Sequence, residues 1–186
     1  ICAFTATATK KVEADIASNL NLQNAKHFRA KTIRDNIDIK VEPRIANGKT
    51  QILNFLKTHK GLCGIIYTFT RKEAESTAQF LSENGYSSKA YHAGLSPKVK
   101  DEVYDAFVYE KIAIVVATIA FGMGIDKSNI RFVIHTSLPK TLENYYQEIG
   151  RAGRDGEMSY VYLLYSKSDE VKRKIQIEEA IDNSYK

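Results

Sequence analysis

Short apolar runs separated by amphipathic stretches of helical length fill most of the chain, and this alternation constrains its fold more than any other feature. Leu62 to Thr68 and Ile112 to Ala117 are nearly unbroken apolar runs. Such runs suit strands buried on both faces, as in a parallel sheet. Shorter strand-like stretches occur at Ser88 to His92, Arg131 to His135 and Tyr160 to Tyr165. Ile37, Ile39 and Val41 alternate with Asp38 and Lys40 in another, and Ala25 to Ala30 is also strand-like. Helix signals lie between them. Thr70-Arg71-Lys72-Glu73 has the spacing of a capping box, and Ala74, Thr77, Ala78 and Leu81 then form one stripe. Ser96 precedes Pro97, an N-cap followed by proline at the first helical position, and Val99, Val103, Ala106 and Phe107 follow on one face. Asn47 is the expected cap of a helix carrying Ile52, Leu53, Phe55 and Leu56. Lys10 to Leu20 reads as an amphipathic helix with Val12, Ile16, Ala17 and Leu20 together, and a charged helix starts at Ser166 or Ser168. The expected fold class is α/β, a three-layer parallel sheet with helices on both faces.

Composition narrows the function classes. The 186 residues carry 44% hydrophobic and 26% charged side chains, the balance of a soluble globular domain. The net charge of +5 fits a polyanion partner, although many soluble domains share it. Cys2 and Cys63 are the only cysteines and form no C-x-x-C pair, so neither a metal site nor a disulfide framework is expected. No apolar run reaches the roughly 18 residues of a membrane span, and no signal peptide is legible. A reducing cytoplasm, or a nucleus in a eukaryote, is the expected compartment. The chain opens on Ile1-Cys2-Ala3-Phe4-Thr5-Ala6-Thr7-Ala8-Thr9 without a methionine and reads as cut from something longer. Residues 1–30 are expected to be the tail of a preceding unit and a linker, residues 31–166 the main domain, and residues 167–186 a C-terminal helix.

The stretch Tyr145 to Gly156 stands out chemically. Leu142, Tyr145, Tyr146 and Ile149 recur at helical spacing and predict one buried face. Extended as a helix to Arg154, the same stretch places Gln147, Arg151 and Arg154 on the opposite face, within roughly 60° of one another at about 100° per residue. Gly150 and Gly153 each cost about 1 kcal/mol in a helix relative to alanine. Their presence suggests that something approaches the backbone closely. Two planar, permanently charged guanidiniums suit phosphate, and a solvated basic face is the plainer alternative.

Further candidates follow the apolar runs, where ligands sit in open parallel sheets. Thr68, Thr70 and Arg71 lie at a helix start and could hold an anion or simply cap. His92 opens the His92-Ala93-Gly94-Leu95 turn and is equally readable as a structural histidine. Thr118 to Asp126 combines a hydroxyl, Gly122, Gly124 and the Asp126 carboxylate, a set able to hold phosphate and ribose or to form an ordinary turn.

The order of these pieces resembles the C-terminal RecA-like lobe of a superfamily 2 helicase, most closely of the RecQ DNA helicases. Ala3 to Ala8 is similar to motif III, Ile65 to Arg71 to motif IV, Val116 to Asp126 to motif V and Tyr145 to Gly156 to motif VI. The Tyr-Tyr-Gln-Glu start of motif VI, the Ala-Phe-Gly-Met-Gly-Ile run and Tyr-His-Ala-Gly-Leu resemble RecQ rather than the RNA-directed DEAD-box relatives. The Phe-x-Arg-Pro-Asn stretch between RecQ lobes has Thr32-Ile33-Arg34-Asp35-Asn36 as its counterpart, which keeps only the arginine and asparagine.

The resemblance implies a RecA-like, P-loop NTPase-type fold and half of an ATP site. No phosphate loop and no Asp-Glu-x-His occur here, so ATP and Mg²⁺ would be bound mainly by a first RecA-like lobe. This lobe would supply Arg154 to the γ-phosphate, with Arg151 and Gln147 beside it. Asp126, Gly124, Gly150 and Gly153 would border the nucleotide. Thr118, Arg71, Thr68 and His92 would grip or support single-stranded DNA. The implied activity is ATP-driven 3′ to 5′ unwinding, with the isolated chain a monomer that hydrolyses nothing. A zinc-binding segment and a winged helix usually follow in this family. A lobe of an RNA helicase and a non-catalytic nucleic-acid-binding module are the competing readings.

Overall fold

Six short strands form a single sheet in which every hydrogen-bonded neighbour is parallel, in the order β1-β6-β5-β2-β4-β3. They are β1 Ile37–Pro43, β2 Gly64–Tyr67, β3 Ser88–Tyr91, β4 Ile114–Ala117, β5 Phe132–His135 and β6 Ser159–Tyr165. The helices are α1 Lys10–Asn19, α2 Lys49–Thr58, α3 Arg71–Glu83, α4 Pro97–Val108, α5 Leu142–Ile149 and α6 Lys167–Ser184. This computed structural model describes residues 1–5, 9–22, 24–28, 34–122 and 124–184, with side chains through residue 178.

The central strands are buried from both sides, as their unbroken apolar runs require. Ile65, Tyr67, Val115, Ala117, Val133 and Val161 face one way and pack with Val103 and Phe107 of α4 and Ile149 of α5. Their neighbours Ile66, Val116, Ile134, Tyr162 and Leu164 face the other way, against Ile52 and Leu56 of α2 and Ala74, Ala78 and Leu81 of α3. Three layers result, with helices on both faces. The capping box at Thr70 and Glu73 forms as its spacing predicts, and Ser96 caps α4 with Pro97 in the first turn. Beyond β1, Arg44 donates to both carboxylate oxygens of Asp169 at 2.8 and 3.0 Å. It also donates to the Thr136 carbonyl, so the start of α6 is tied to the ends of β1 and β5.

Four local expectations change. Residues 25–28 form no strand. A short strand-like stretch carries little information by itself, and among the described residues this one joins no ladder. The cap of α2 is Gly48 in a left-handed conformation, while Asn47 lies one position before it and its side chain accepts from the Lys49 amide. The α1 helix forms but buries none of its residues, so its apolar stripe has no cover within the described chain. The helix expected through Arg154 ends at Ile149. The expected domain start near residue 31, the strand residues 29 and 30, Ala6 to Ala8 and Met123 lie outside the described residues.

Close packing of β2 against β5 makes a fold-level test. A Cβ built on Gly64 would lie 2.4 Å from the Phe132 carbonyl oxygen and from its ring. Gly64→Ala is expected to lower the unfolding free energy by about 1–3 kcal/mol through overpacking, read by urea denaturation. An unchanged denaturation midpoint would contradict the packing described.

Candidate nucleotide and nucleic-acid interface

The arginine-bearing segment is built on a short, well-anchored helix. Thr141 caps α5 by accepting from the Asn144 amide. Ile149 is buried in the core. Glu148 is buried too, and its carboxylate meets His135 Nε2 at 2.7 Å. The His135 ring lies between Tyr67, stacked at 5.3 Å, and Tyr145, edge-on at 5.2 Å. Burial pushes the Tyr145 phenol up to about 12, so it stays neutral. These contacts fix the angle at which the chain leaves α5.

The chain then turns instead of continuing as a helix. Gly150 closes α5, and Gly153 adopts φ +60°, which no helix accommodates. Carbonyls that a longer helix would have bonded internally accept from elsewhere. Arg34 Nη2 donates to the Gly150 oxygen at 2.8 Å and to the Ala152 oxygen. Asn36 Nδ2 donates to the Gly153 and Glu157 oxygens at 2.9 and 2.8 Å. The close approach that Gly153 permits is made by this chain itself: a Cβ there would lie 2.5 Å from Asn36 Nδ2 and 2.7 Å from Ser159 Oγ. The shared helical face of Gln147, Arg151 and Arg154 therefore does not exist. Gln147 is exposed on the last turn of α5, while both arginines project from the turn beyond it.

Nor are the arginines idle. Arg151 Nη1 donates to the Gly122 carbonyl, and Arg154 Nη1 donates to the Ile125 carbonyl at 2.9 Å. Arg154 also lies 3.7 Å from the carboxylate of Asp126, which is fully exposed. A guanidinium carries five donors, and the neighbouring loop carbonyls are within reach. Arg154 keeps 36% of its side chain exposed, and Nη1 makes its one hydrogen bond among the described residues, so part of its fork remains available to another acceptor. Gly124 sits in the same loop at φ +83° with open space around it. Burial, and then the charge of Arg154, lowers the Arg34 pKa from its ordinary value.

The remaining candidates assemble elsewhere. Strands β2, β4 and β3 are adjacent, and Thr68, Thr118 and His92 each follow one of them. The Thr68 amide donates to Ala117 at 2.8 Å and the Thr118 amide to Tyr91 at 3.2 Å, so the three positions sit side by side at the carboxyl edge. Thr68 is buried, and its hydroxyl donates to the Thr70 and Ala117 carbonyls. His92 is buried against Glu75 at 3.0 Å, with Nδ1 unpartnered. A Cβ on Gly94 would lie 3.0 Å from Arg71 Nη1 and 3.2 Å from His92 Nδ1, which brings Arg71 to the same corner. Arg71 and Thr118 are the accessible members of this group.

Two clusters thus emerge at opposite edges of the sheet. The Gly153 amide donates to Ile130, just before β5, so the arginine turn lies at the amino edge. The loop from Thr118 to Arg131 joins the two, starting at the carboxyl edge of β4 and passing the arginines before β5 begins. The expectation that candidate residues lie just after strands holds for Thr68, His92 and Thr118, while the arginine turn lies at the other edge. Sequence reasoning also missed the buried Glu148–His135 pair and the contacts of Arg34 and Asn36. Their retention in the linker was the available signal.

Comparison with known proteins agrees with this architecture. A family model for the helicase conserved C-terminal domain matches residues 48–156. The chain is 44% identical over 180 residues to RecQ-like DNA helicase blm-1 of Caenorhabditis elegans, covering 96% of this chain and 18% of that protein. It is 42% identical over 180 residues to ATP-dependent DNA helicase RecQ of Bacillus subtilis, covering 97% and 30%. The chain therefore spans less than a third of the length of these curated relatives. The solved structure of the Escherichia coli DEAD-box protein SrmB bound to RraA aligns with a TM-score of 0.60 at 19% identity, covering 68% of this chain and 75% of that one. That likeness carries the fold alone. With the matched family, the parallel sheet and the motif order together, the chain belongs to the helicase conserved C-terminal domain family, as a lobe of the RecQ type.

Proposed function

We propose that this chain is the second motor lobe of an ATP-dependent DNA helicase that moves 3′ to 5′, with residues 1–30 belonging to the end of a first lobe and its linker. One observation carries the reading: both arginines of the turn are hydrogen-bonded to carbonyls of the loop that begins at Thr118. A nucleotide-facing group and a strand-gripping group then share one mechanical element.

Arg154 is the finger in this reading. Its guanidinium is partly exposed and held by a single carbonyl, so it can turn towards an anionic oxygen without breaking the core. Arg151, half-buried against Gly122, is the support beside it, and Gln147 is exposed on the last turn of α5. The exposed Asp126 carboxylate suits a ribose hydroxyl, and Gly124 leaves open space in the same loop, whereas Gly150 and Gly153 meet Arg34 and Asn36. ATP with Mg²⁺, held mainly by the first lobe, supplies the phosphoryl group and its charge. An exchange of these loop carbonyls for phosphate oxygens by Arg151 and Arg154 would release or shift the loop, and Thr118 with it. Arg71 offers charge to the strand, while buried Thr68 and His92 hold the corner in shape. Retention of both arginines favours an enzyme lobe over a passive nucleic-acid binder. Unwinding assays with DNA and RNA duplexes on the whole protein separate a DNA helicase from an RNA helicase.

Arg154→Ala in the whole protein is expected to cut DNA-stimulated ATP turnover by about 10³-fold or more, the scale of arginine fingers in GTPases. ATP and DNA affinities should stay near those of the unmodified protein, and near-normal turnover would sink the finger assignment. The isolated chain should turn over no ATP in a coupled assay, because a lobe without a phosphate loop cannot position the nucleotide. Its binding to single-stranded DNA, followed by fluorescence anisotropy, should be weak and fall steeply as salt rises.

A further inference from the structure

Arg34 and Asn36 lie more than a hundred positions before the arginine turn, yet they supply the side-chain donors that four of its carbonyls use. The turn has few bonds of its own: backbone bonds from Arg151 to Glu148 at 3.3 Å, Ala152 to Ile149 at 3.1 Å and Gly156 to Gly153 at 3.1 Å, and one from the Glu157 amide to the Asp155 carboxylate at 3.1 Å. The Ser159 amide completes the junction by donating to the Asn36 carbonyl at 2.9 Å, immediately before β1 and β6 begin to pair. One short segment therefore both opens the edge strand of the sheet and clamps the turn that carries Arg151 and Arg154.

We propose that Arg34 and Asn36 are positioning residues for the reaction, holding the arginine turn in the one geometry that lets Arg154 act. The proposal rests on reading Arg154 as the residue that meets the nucleotide. The chemistry fits that task. Arg34 Nη2 reaches two carbonyls two residues apart, and the Asn36 amide spans two more across the glycine. Four oxygens that point outward from a broken helix are thus tied to one rigid neighbour. The cost is a like charge near Arg154, balanced by Asp155, which pairs with Arg131 on the turn's other side. Because the clamp sits where the preceding lobe would connect, a change in the path of that segment reaches the arginine turn directly. Lobe closure and finger placement become one movement.

The test uses the whole protein carrying Arg34→Ala, Arg34→Lys or Asn36→Ala, each alone and combined with Arg154→Ala. Turnover with saturating single-stranded DNA, KM for ATP, DNA affinity and Tm are measured together. Arg34→Ala should lower kcat by about 100-fold, the scale of a small misplacement of a catalytic group. KM and DNA affinity should stay within about 3-fold, because the clamp contributes to neither ground-state contact. Arg34→Lys, which restores one donor group without the fork, should recover part of the loss. In the Arg154→Ala background, Arg34→Ala should add less than about 3-fold, since residues acting through one another are not additive. Asn36→Ala should show the same pattern with a smaller loss. Normal kcat in Arg34→Ala beside an inactive Arg154→Ala would overturn the clamp and leave the finger reading standing. Normal turnover in Arg154→Ala would overturn the finger reading itself. Full multiplicative losses in the double variant, or a lower Tm with matching loss of DNA affinity, would assign Arg34 a purely structural role and overturn the proposal.

Discussion

Backbone carbonyls at the end of a helix need donors, and much of this structure follows from how α5 meets that demand. A helix leaves its last carbonyl groups without internal partners, and burying them unsatisfied is costly. Here the helix stops at Ile149, and Arg34 and Asn36 take up the oxygens beyond it. The turn that results is left-handed at Gly153, and it sends Arg151 and Arg154 across to the loop before β5. Had the helix continued, both arginines would have projected into solvent. The arrangement of the candidate site is thus a consequence of hydrogen-bond satisfaction, set by residues distant in sequence.

The sheet places this turn in a useful relation to the other candidates. Its order sets β2, β4 and β3 side by side, so Thr68, Thr118 and His92 fall on one edge. The amino ends of β5 and β6 lie at the other edge, beside the turn. The loop from Thr118 to Arg131 spans the two and offers its carbonyls to both arginines. In the proposed function such a link would let a change at the nucleotide alter the grip on a strand elsewhere. The link here is short and made of identifiable bonds.

The strands were legible because their burial is nearly continuous, and a run such as Ile112 to Ala117 has few other stable homes. Capping chemistry at Thr70 and at Ser96-Pro97 was equally readable, since both signals are local. The failures share one cause. Periodicity carried the helix past Ile149 because the donors on Arg34 and Asn36 are invisible at that range. The same blindness left out the loop carbonyls that hold both arginines. It also missed Glu148, a charged residue in an apparently polar position that is buried against His135. Ala25 to Ala30 misled in the opposite direction, since a strand-like composition was read where residues 25–28 form no strand. Residue types suggested a chemistry for the candidate site, while its geometry depends on long-range partners.

The central claim is that the arginine turn and the loop beginning at Thr118 respond to nucleotide as one unit. Hydrogen exchange on the whole protein, with and without a non-hydrolysable ATP analogue and Mg²⁺ in the absence of DNA, tests it most directly. The account predicts that nucleotide changes exchange across residues 118–131 as well as the turn, and that Arg151→Ala removes the loop response while the nucleotide still binds. Exchange that changes at the turn alone, with the loop unaffected in the unmodified protein, would contradict it.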